Sequence, residues 1–224
     1  MPGGTGGARS DTVAGVDGPL FTTGPLELTR AARDEVAALG ARAFYDDPFF
    51  RHLSDEPLLR VRGMGIFLRS HIAALGATAV AAGARDRSGL LVGVAVWQRP
   101  GTHPLPWAAQ VRDLAGSARA MLPRPRSLAV GLRYVTAIEK VRPREEHWYL
   151  ALLATDPMVW RRGVGTALLE PMLAVADDDG LPCYLETQKE ANIAYYRRFG
   201  FEETERLTPD PAGPPLFTLT RPVR

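Results

Sequence analysis

The segment Pro157 to Leu169, PMVWRRGVGTALL, places Arg161 and Arg162 directly before Gly163-Val164-Gly165-Thr166. Fixed positive charge running into a glycine turn that opens an apolar helix is chemistry for an anion. The first N–H groups of a helix have no intrahelical partner, and the helix dipole favours negative charge there. Glycine at 163 and 165 lets the backbone approach a phosphate with no Cβ in the way, and Thr166 adds a hydroxyl donor. A lone Gly-x-Gly also begins many ordinary helices, so the surrounding elements must decide. A second set of residues can move protons: the phenol of Tyr196, the carboxylates of Glu139 and Glu186, and the imidazole of His147. Each has a plain structural reading as well. Tyr196 shares an apolar stripe with Ile193, Glu139 suits a solvated helix face, Glu186 alternates with Leu185 on a strand, and His147 stands at a strand start. His52, His71, His103 and His147 show no ligand spacing with each other or with Cys183, so no metal site is expected.

The anion turn needs a strand before it and a helix after it. Trp148 to Thr155 reads as that strand, Asp156-Pro157 as the turn, and the helix closes at Asp177-Asp178-Asp179-Gly180. Pro171 lies inside this helix, where proline costs about 3 kcal/mol, and predicts a bend at Ala167 and not an end. Pro182 to Thr187 reads as the next strand, which makes a βαβ unit with parallel neighbours. Asn192 to Phe199 is a short helix ended by Gly200, and Phe201 to Glu205 and Pro215 to Thr220 supply closing strands. Upstream, Leu26 to Leu28 reads as a first strand and Thr29 as the N-cap of a helix Arg30 to Phe44, stopped by Tyr45-Asp46-Asp47-Pro48. Asp46 and Asp47 could attract a cationic partner, against a default of solvated loop. Pro57 opens a second helix that ends near Gly76, and Thr78 to Ala82 and Leu90 to Trp97 form a hairpin about Asp86 to Gly89. Between Pro100 and Arg144, two apolar-striped runs, Trp107 to Leu122 and Ser127 to Val141, predict a helical insertion. The tally is an α/β (α+β) mixed sheet, largely antiparallel, with one late βαβ crossover and flanking helices.

The chain has 224 residues, 46% hydrophobic and 23% charged, which suits one soluble domain over 20–224 behind a Gly-rich, disordered tail at 1–19. No apolar run approaches the ~20 residues of a membrane helix, so no membrane partner is expected. A net charge of +2 with scattered basic residues argues against nucleic acid. A single cysteine, Cys183, excludes an intramolecular disulfide and fits a reducing, cytoplasmic setting.

Taken in order, LATDP, WRRGVGTALL, PCYLET and NIAYYRRFGFEE resemble the GNAT family of acyl-CoA-dependent N-acetyltransferases. The resemblance covers Glu145 to Glu203, extends more loosely to Phe44–Pro48 and Arg142–Glu145, and is greatest to the branch that includes puromycin N-acetyltransferase. It implies acetyl-CoA as co-substrate. The pyrophosphate would sit on Arg161, Arg162, Gly163, Val164, Gly165 and Thr166, and the pantetheine arm on the backbone of Ala154 and Thr155 and on Asn192. That arm needs the strand to splay from its parallel neighbour near Cys183. Tyr196 matches the family tyrosine that protonates the leaving thiol, and Glu139, Glu186 and His147 are candidates for the base, with Glu139 preferred. Two departures stand out. Trp160 replaces the usual Gln or Arg and Arg161 the usual Gly, while Val141-Arg142 fills the place of a histidine carried by many relatives. The implied activity is N-acetylation of a small-molecule amine, such as an antibiotic, nucleoside or other secondary metabolite, for self-resistance or detoxification, by a monomer or homodimer. The alternatives are a biosynthetic acyltransferase with a longer donor, a non-catalytic acyl-CoA sensor, and a protein lysine acetyltransferase.

Overall fold

The computed structural model describes residues 19–121 and 125–224. Its strands are β1 (Phe21–Pro25), β2 (Ala79–Asp86), β3 (Leu91–Gln98), β4 (Trp148–Thr155), β5 (Cys183–Thr187), β6 (Glu202–Leu207) and β7 (Leu216–Arg221). They form one seven-stranded sheet in the order β1-β2-β3-β4-β5-β7-β6, antiparallel throughout except for β4 beside β5. The helices are α1 (Arg30–Ala43), α2 (Pro48–Leu53), α3 (Pro57–Leu75), α4 (Trp107–Met121), α5 (Pro125–Val141), α6 (Val164–Asp178) and α7 (Ala191–Arg197). This is the expected mixed fold, with the crossover carried by α6 and the insertion formed by α4 and α5. None of the described helices is long and apolar enough to cross a membrane.

Apolar side chains cover both faces of the sheet. One cluster packs Trp97, Leu150, Leu185 and Phe217 against Leu168, Leu169 and Tyr196 from α6 and α7. The other packs Val94, Val96 and Leu152 against Val36, Leu39, Met64 and Leu68 from α1 and α3. Strand β3 is buried along its whole length, as a central strand covered on two faces must be. A smaller cluster joins Val130 and Tyr134 of α5 to Phe49, Leu53 and Leu216.

Two local expectations change. The first strand lies at Phe21–Pro25 and not at Leu26–Leu28, because pairing with β2 captures the β-forming Phe21, Thr22 and Thr23. The Asp47-Pro48 pair not only stops one helix but starts another: Asp47 Oδ1 accepts from Phe49 N at 3.0 Å, and Pro48 occupies the first helical turn of α2. Helix α6 runs uninterrupted through Pro171, so this proline does not end it. Thr29 caps α1 as expected, accepting from Ala32 N at 3.2 Å. The expected tail lies, but for Pro19, outside the described residues, as does Leu122 at the end of the first insertion run.

The feature that creates the site is a bulge. Trp97 pairs with Leu150 and Val96 with Leu152, which leaves Ala151 as an extra residue in β4. Such an insertion bends a strand and turns the residues beyond it to the other face. Trp148 and Leu150 accordingly face α6, whereas Leu152 and Ala154 face α1 and α3. Strands β4 and β5 pair only at Trp148 with Cys183 and Tyr149 with Tyr184, so from Leu150 onward they part into a wedge.

Candidate active site

At the open end of the wedge the chain leaves β4 through a short 3-10 turn, Pro157–Val159, into α6. Asp156 fixes this turn. Its Oδ1 accepts from Met158 N at 3.0 Å, and its Oδ2 meets Arg42 Nε of α1 at 2.6 Å. Gly163 then precedes α6 at φ 83 with no side-chain cap, so the leading N–H groups of Val164, Gly165 and Thr166 start the helix free to bind an anion. Arg161 adopts φ 61, a left-handed conformation that costs a residue with a Cβ roughly 1–2 kcal/mol. Its place is one where the family commonly has glycine, and the backbone keeps the glycine geometry. Trp160 is 52% exposed and tied by Nε1 to the Thr155 carbonyl at 2.9 Å, with the Lys189 ammonium 5.7 Å from its ring centroid.

Gly165 is required by close approach. A Cβ there would lie 2.5 Å from the Tyr195 hydroxyl and 3.8 Å from Thr155 Oγ1. That hydroxyl is buried without a hydrogen-bond partner among the described residues, at the junction of the β4 end and the α6 start. An unpartnered phenol beside an uncapped helix start is a further donor for an anionic ligand, so the residues present fit a bound pyrophosphate. The NIAYYRRFGF run marks Tyr196 through its match to the family tyrosine and carries no signal for Tyr195.

Along the wedge, Ala154 is buried and Thr155 partly so. Asn192 Nδ2 donates to Thr187 Oγ1 at 2.9 Å, which sets the amide at the end of β5. Tyr196 lies on α7 at 7% exposure, edge-on to Tyr195 and Phe201. Burial, and then the Tyr195 phenol, push its pKa far above the usual tyrosine value. It therefore keeps its proton across the working pH range, as an acid must and a base must not.

The opposite face of β5 carries a buried polar cluster. Glu186, with its side chain 5% exposed, and Arg142, at 9%, face each other with Oε1 and Nη2 3.6 Å apart. The phenols of Tyr149 and Tyr184 flank the carboxylate, and the Arg142 guanidinium lies 4.2 Å from the Tyr149 ring centroid. Glu186 Oε1, Arg142 Nε and Tyr184 OH have no hydrogen-bond partner among the described residues. Burial raises the Glu186 carboxyl above the ordinary range, and Arg142 and the Tyr149 and Tyr184 phenols beside it only partly oppose this. Arg142, Tyr149 and His147 also line a cleft of about 430 Å³ that opens to solvent beside Glu139 and His103.

The remaining base candidates have other partners. Glu139 sits on an exposed turn of α5, with Oε2 3.1 Å from His103 Nε2. That hydrogen bond holds its carboxyl below the usual range and makes it a poor proton acceptor, against the expectation that it is the base. His147 Nδ1 lies 2.7 Å from the Glu145 carbonyl, and burial lowers its basicity, as suits a structural histidine. Asp47 is the cap of α2, and Asp46 is exposed beside Arg51 at 3.7 Å. In the β6–β7 loop Asp210 meets His52 Nε2 at 2.9 Å and Arg133 Nη1 at 3.2 Å. A signal for the cluster was present in PCYLET, whose Tyr184 and Glu186 share one strand face. Arg142, however, is joined to them only by the tertiary fold.

Residues 94–201 match the acetyltransferase (GNAT) family. The chain is 26% identical over 201 residues to an uncharacterized N-acetyltransferase of Schizosaccharomyces pombe, covering 84% of this chain and 78% of that one. Its fold resembles a Corynebacterium glutamicum structure described as histone acetyltransferase HPA2 and related acetyltransferase, at 24% identity, TM-score 0.64, and 91% and 97% coverage of the two chains. It also resembles a Drosophila melanogaster polyamine N-acetyltransferase that forms N-acetylagmatine, at 16% identity, TM-score 0.62, and 91% and 100% coverage. The stretch that carries the splayed β4–β5 wedge and the glycine turn at α6 is thus the one that matches the GNAT acetyltransferases, a family that uses acetyl-CoA.

Proposed function

We propose that the protein acetylates the amine of a small molecule, with Glu186 as the base and Tyr196 as the acid. The observation that carries this reading is the buried Glu186–Arg142–Tyr184 cluster at the inner end of the wedge, where the ion pair stays open at 3.6 Å and Glu186 Oε1, Arg142 Nε and Tyr184 OH make no hydrogen bond among the described residues. Leaving such groups unmet costs about 1–3 kcal/mol each, so a ligand with its own donors and acceptors fits them. Glu186 replaces Glu139 as base, because a desolvated carboxylate of raised basicity takes a proton from an amine more readily than one already held by a histidine. Bound acetyl-CoA supplies an acetyl group activated as a thioester. The α6 turn orients it through Gly163 to Thr166, with Arg161 and Arg162 adding positive charge. Glu186 removes the proton of the attacking amine, and Tyr196 holds the proton that the departing sulfur takes up.

The acceptor belongs, in this reading, among amino-bearing antibiotics or other secondary metabolites, with self-resistance or detoxification as its use. Resemblance to the puromycin N-acetyltransferase branch supports that choice, and the fold shared with a polyamine acetyltransferase supports a small amine more generally. The test is thiol release from acetyl-CoA over a panel of puromycin, other aminonucleosides, agmatine and lysine peptides, with acetyl-CoA binding followed by calorimetry. Release with one class of small amine is expected. Release only with lysine peptides, or tight binding with no release from any amine, would overturn the reading.

The turn itself gives a sharper expectation. Gly165→Ala places a methyl group against the Tyr195 hydroxyl and into the anion cradle. Its dissociation constant for CoA should rise at least tenfold, about 1.4 kcal/mol, in calorimetry. Affinity for pantetheine, which lacks the pyrophosphate, should change much less; equal losses for both ligands would mean that the cradle does not hold phosphate.

A further inference from the structure

Three contacts in series lead from the wedge to the surface. Glu186 Oε1 lies 3.6 Å from Arg142 Nη2, Arg142 Nη1 lies 3.0 Å from His103 Nδ1, and His103 Nε2 lies 3.1 Å from Glu139 Oε2. A guanidinium can only donate, so His103 Nδ1 accepts and the ring is neutral, with its proton on Nε2 directed at Glu139. The anomaly is the first contact. A buried arginine and carboxylate normally close into a fork at about 2.7–2.9 Å. Here the pair stays long, and Glu186 Oε1 and Arg142 Nε remain without hydrogen bonds.

We propose that His103 and Glu139 are positioning residues that hold the Arg142 guanidinium back from Glu186 and so preserve Glu186 as a base. The inference rests on the assignment of Glu186 made above. The Arg142 side chain has two competing acceptors, and its position is set by both. His103 takes one Nη group, while the Tyr149 ring supports the face of the guanidinium. Glu139 fixes the imidazole by accepting from its other nitrogen, so a carboxylate on the exposed side of α5 controls one on the buried side of β5. Freed from His103, Arg142 would close on Glu186 and stabilise its charged form. An opposite charge brought to hydrogen-bonding distance lowers a carboxyl group by about 1–3 pH units. The groups that face Glu186 are Arg142, Tyr149, Tyr184 and, farther off, Glu139, and among them Arg142 carries the only positive charge.

The experiment is the pH profile of kcat/KM for wild type, His103→Leu, His103→Gln, Glu139→Ala and Glu186→Gln, each checked for acetyl-CoA affinity by calorimetry. His103→Leu should move the acid limb down by about one pH unit and lower the plateau roughly tenfold, because a weaker base reacts more slowly. Gln can accept from Arg142 and donate to Glu139, so His103→Gln should restore both limb and plateau. Glu139→Ala should shift the limb in the same direction by a smaller amount. Acetyl-CoA affinity should not change in any of them. An acid limb that stays in place in both His103→Leu and Glu139→Ala would overturn the positioning role, as would a His103→Gln profile identical to that of His103→Leu. A limb that persists in Glu186→Gln would instead remove Glu186 as the base, and the positioning proposal with it.

Discussion

Tyr196→Phe will lower turnover by roughly a hundredfold or more, the usual scale for loss of a positioned acid, and will leave acetyl-CoA affinity and melting temperature close to wild type. The substitution deletes one oxygen from a ring whose packing against Phe201 and Tyr195 is otherwise kept. No cavity forms, because only the hydroxyl oxygen is removed. The anion cradle at Gly163 to Thr166 is built from backbone on another element, so binding has no reason to change. Pre-steady-state kinetics with thiol detection would separate the acetyl-transfer step from product release. An unchanged transfer rate would return Tyr196 to the core, where its burial alone would explain it. Tyr195→Phe makes the informative contrast. It removes the unpartnered hydroxyl beside Gly165 and should weaken CoA binding with little effect on turnover at saturation.

The parts of the site that could be read from the sequence are those held by local structure. Gly163, Gly165 and the strand before them act within a dozen residues, and the backbone at Arg161 keeps its left-handed turn even where the family glycine is replaced. Thr29 capped α1 for the same local reason. Nothing local announces the bulge at Ala151. WYLALLAT is an unbroken apolar run up to Thr155, and the extra residue appears only when β4 is set in register with β3. The change of proposed base from Glu139 to Glu186 has a similar origin. Glu139 and Glu186 are both glutamates near the expected acceptor side, and only the fold gives one to His103 and leaves the other buried opposite Arg142. The Asp47-Pro48 pair carried two signals at once, a stop for α1 and a start for α2, and the six-residue helix that follows is too short for periodicity to reveal.

Glu186→Gln tests the buried cluster in two independent ways. As the base, Glu186 must be ionised to act, so wild-type kcat/KM should climb with pH through its raised value, above the range where ordinary glutamates titrate. The glutamine variant should lose activity by about a hundredfold or more, together with that limb. Stability supplies the second readout. A carboxyl group whose folded pKa lies above its unfolded one binds more protons in the folded state between the two values. Stability therefore falls as pH rises from the ordinary glutamate value through the folded value, and is flat beyond it. Removing the carboxyl should flatten this part of the wild-type stability curve, measured by urea denaturation at a series of pH values. At neutral pH the variant leaves Arg142 buried without its counter-ion, which costs several kcal/mol and can unfold a marginal protein. The double variant Glu186→Gln with Arg142→Met removes both charges and so relieves that cost, while still lacking the base. If the double variant is stable and as inactive as the single one, the loss of activity belongs to the carboxylate and not to the fold. If it recovers activity, Glu186 serves only to neutralise Arg142, and the proton leaves the amine by another route.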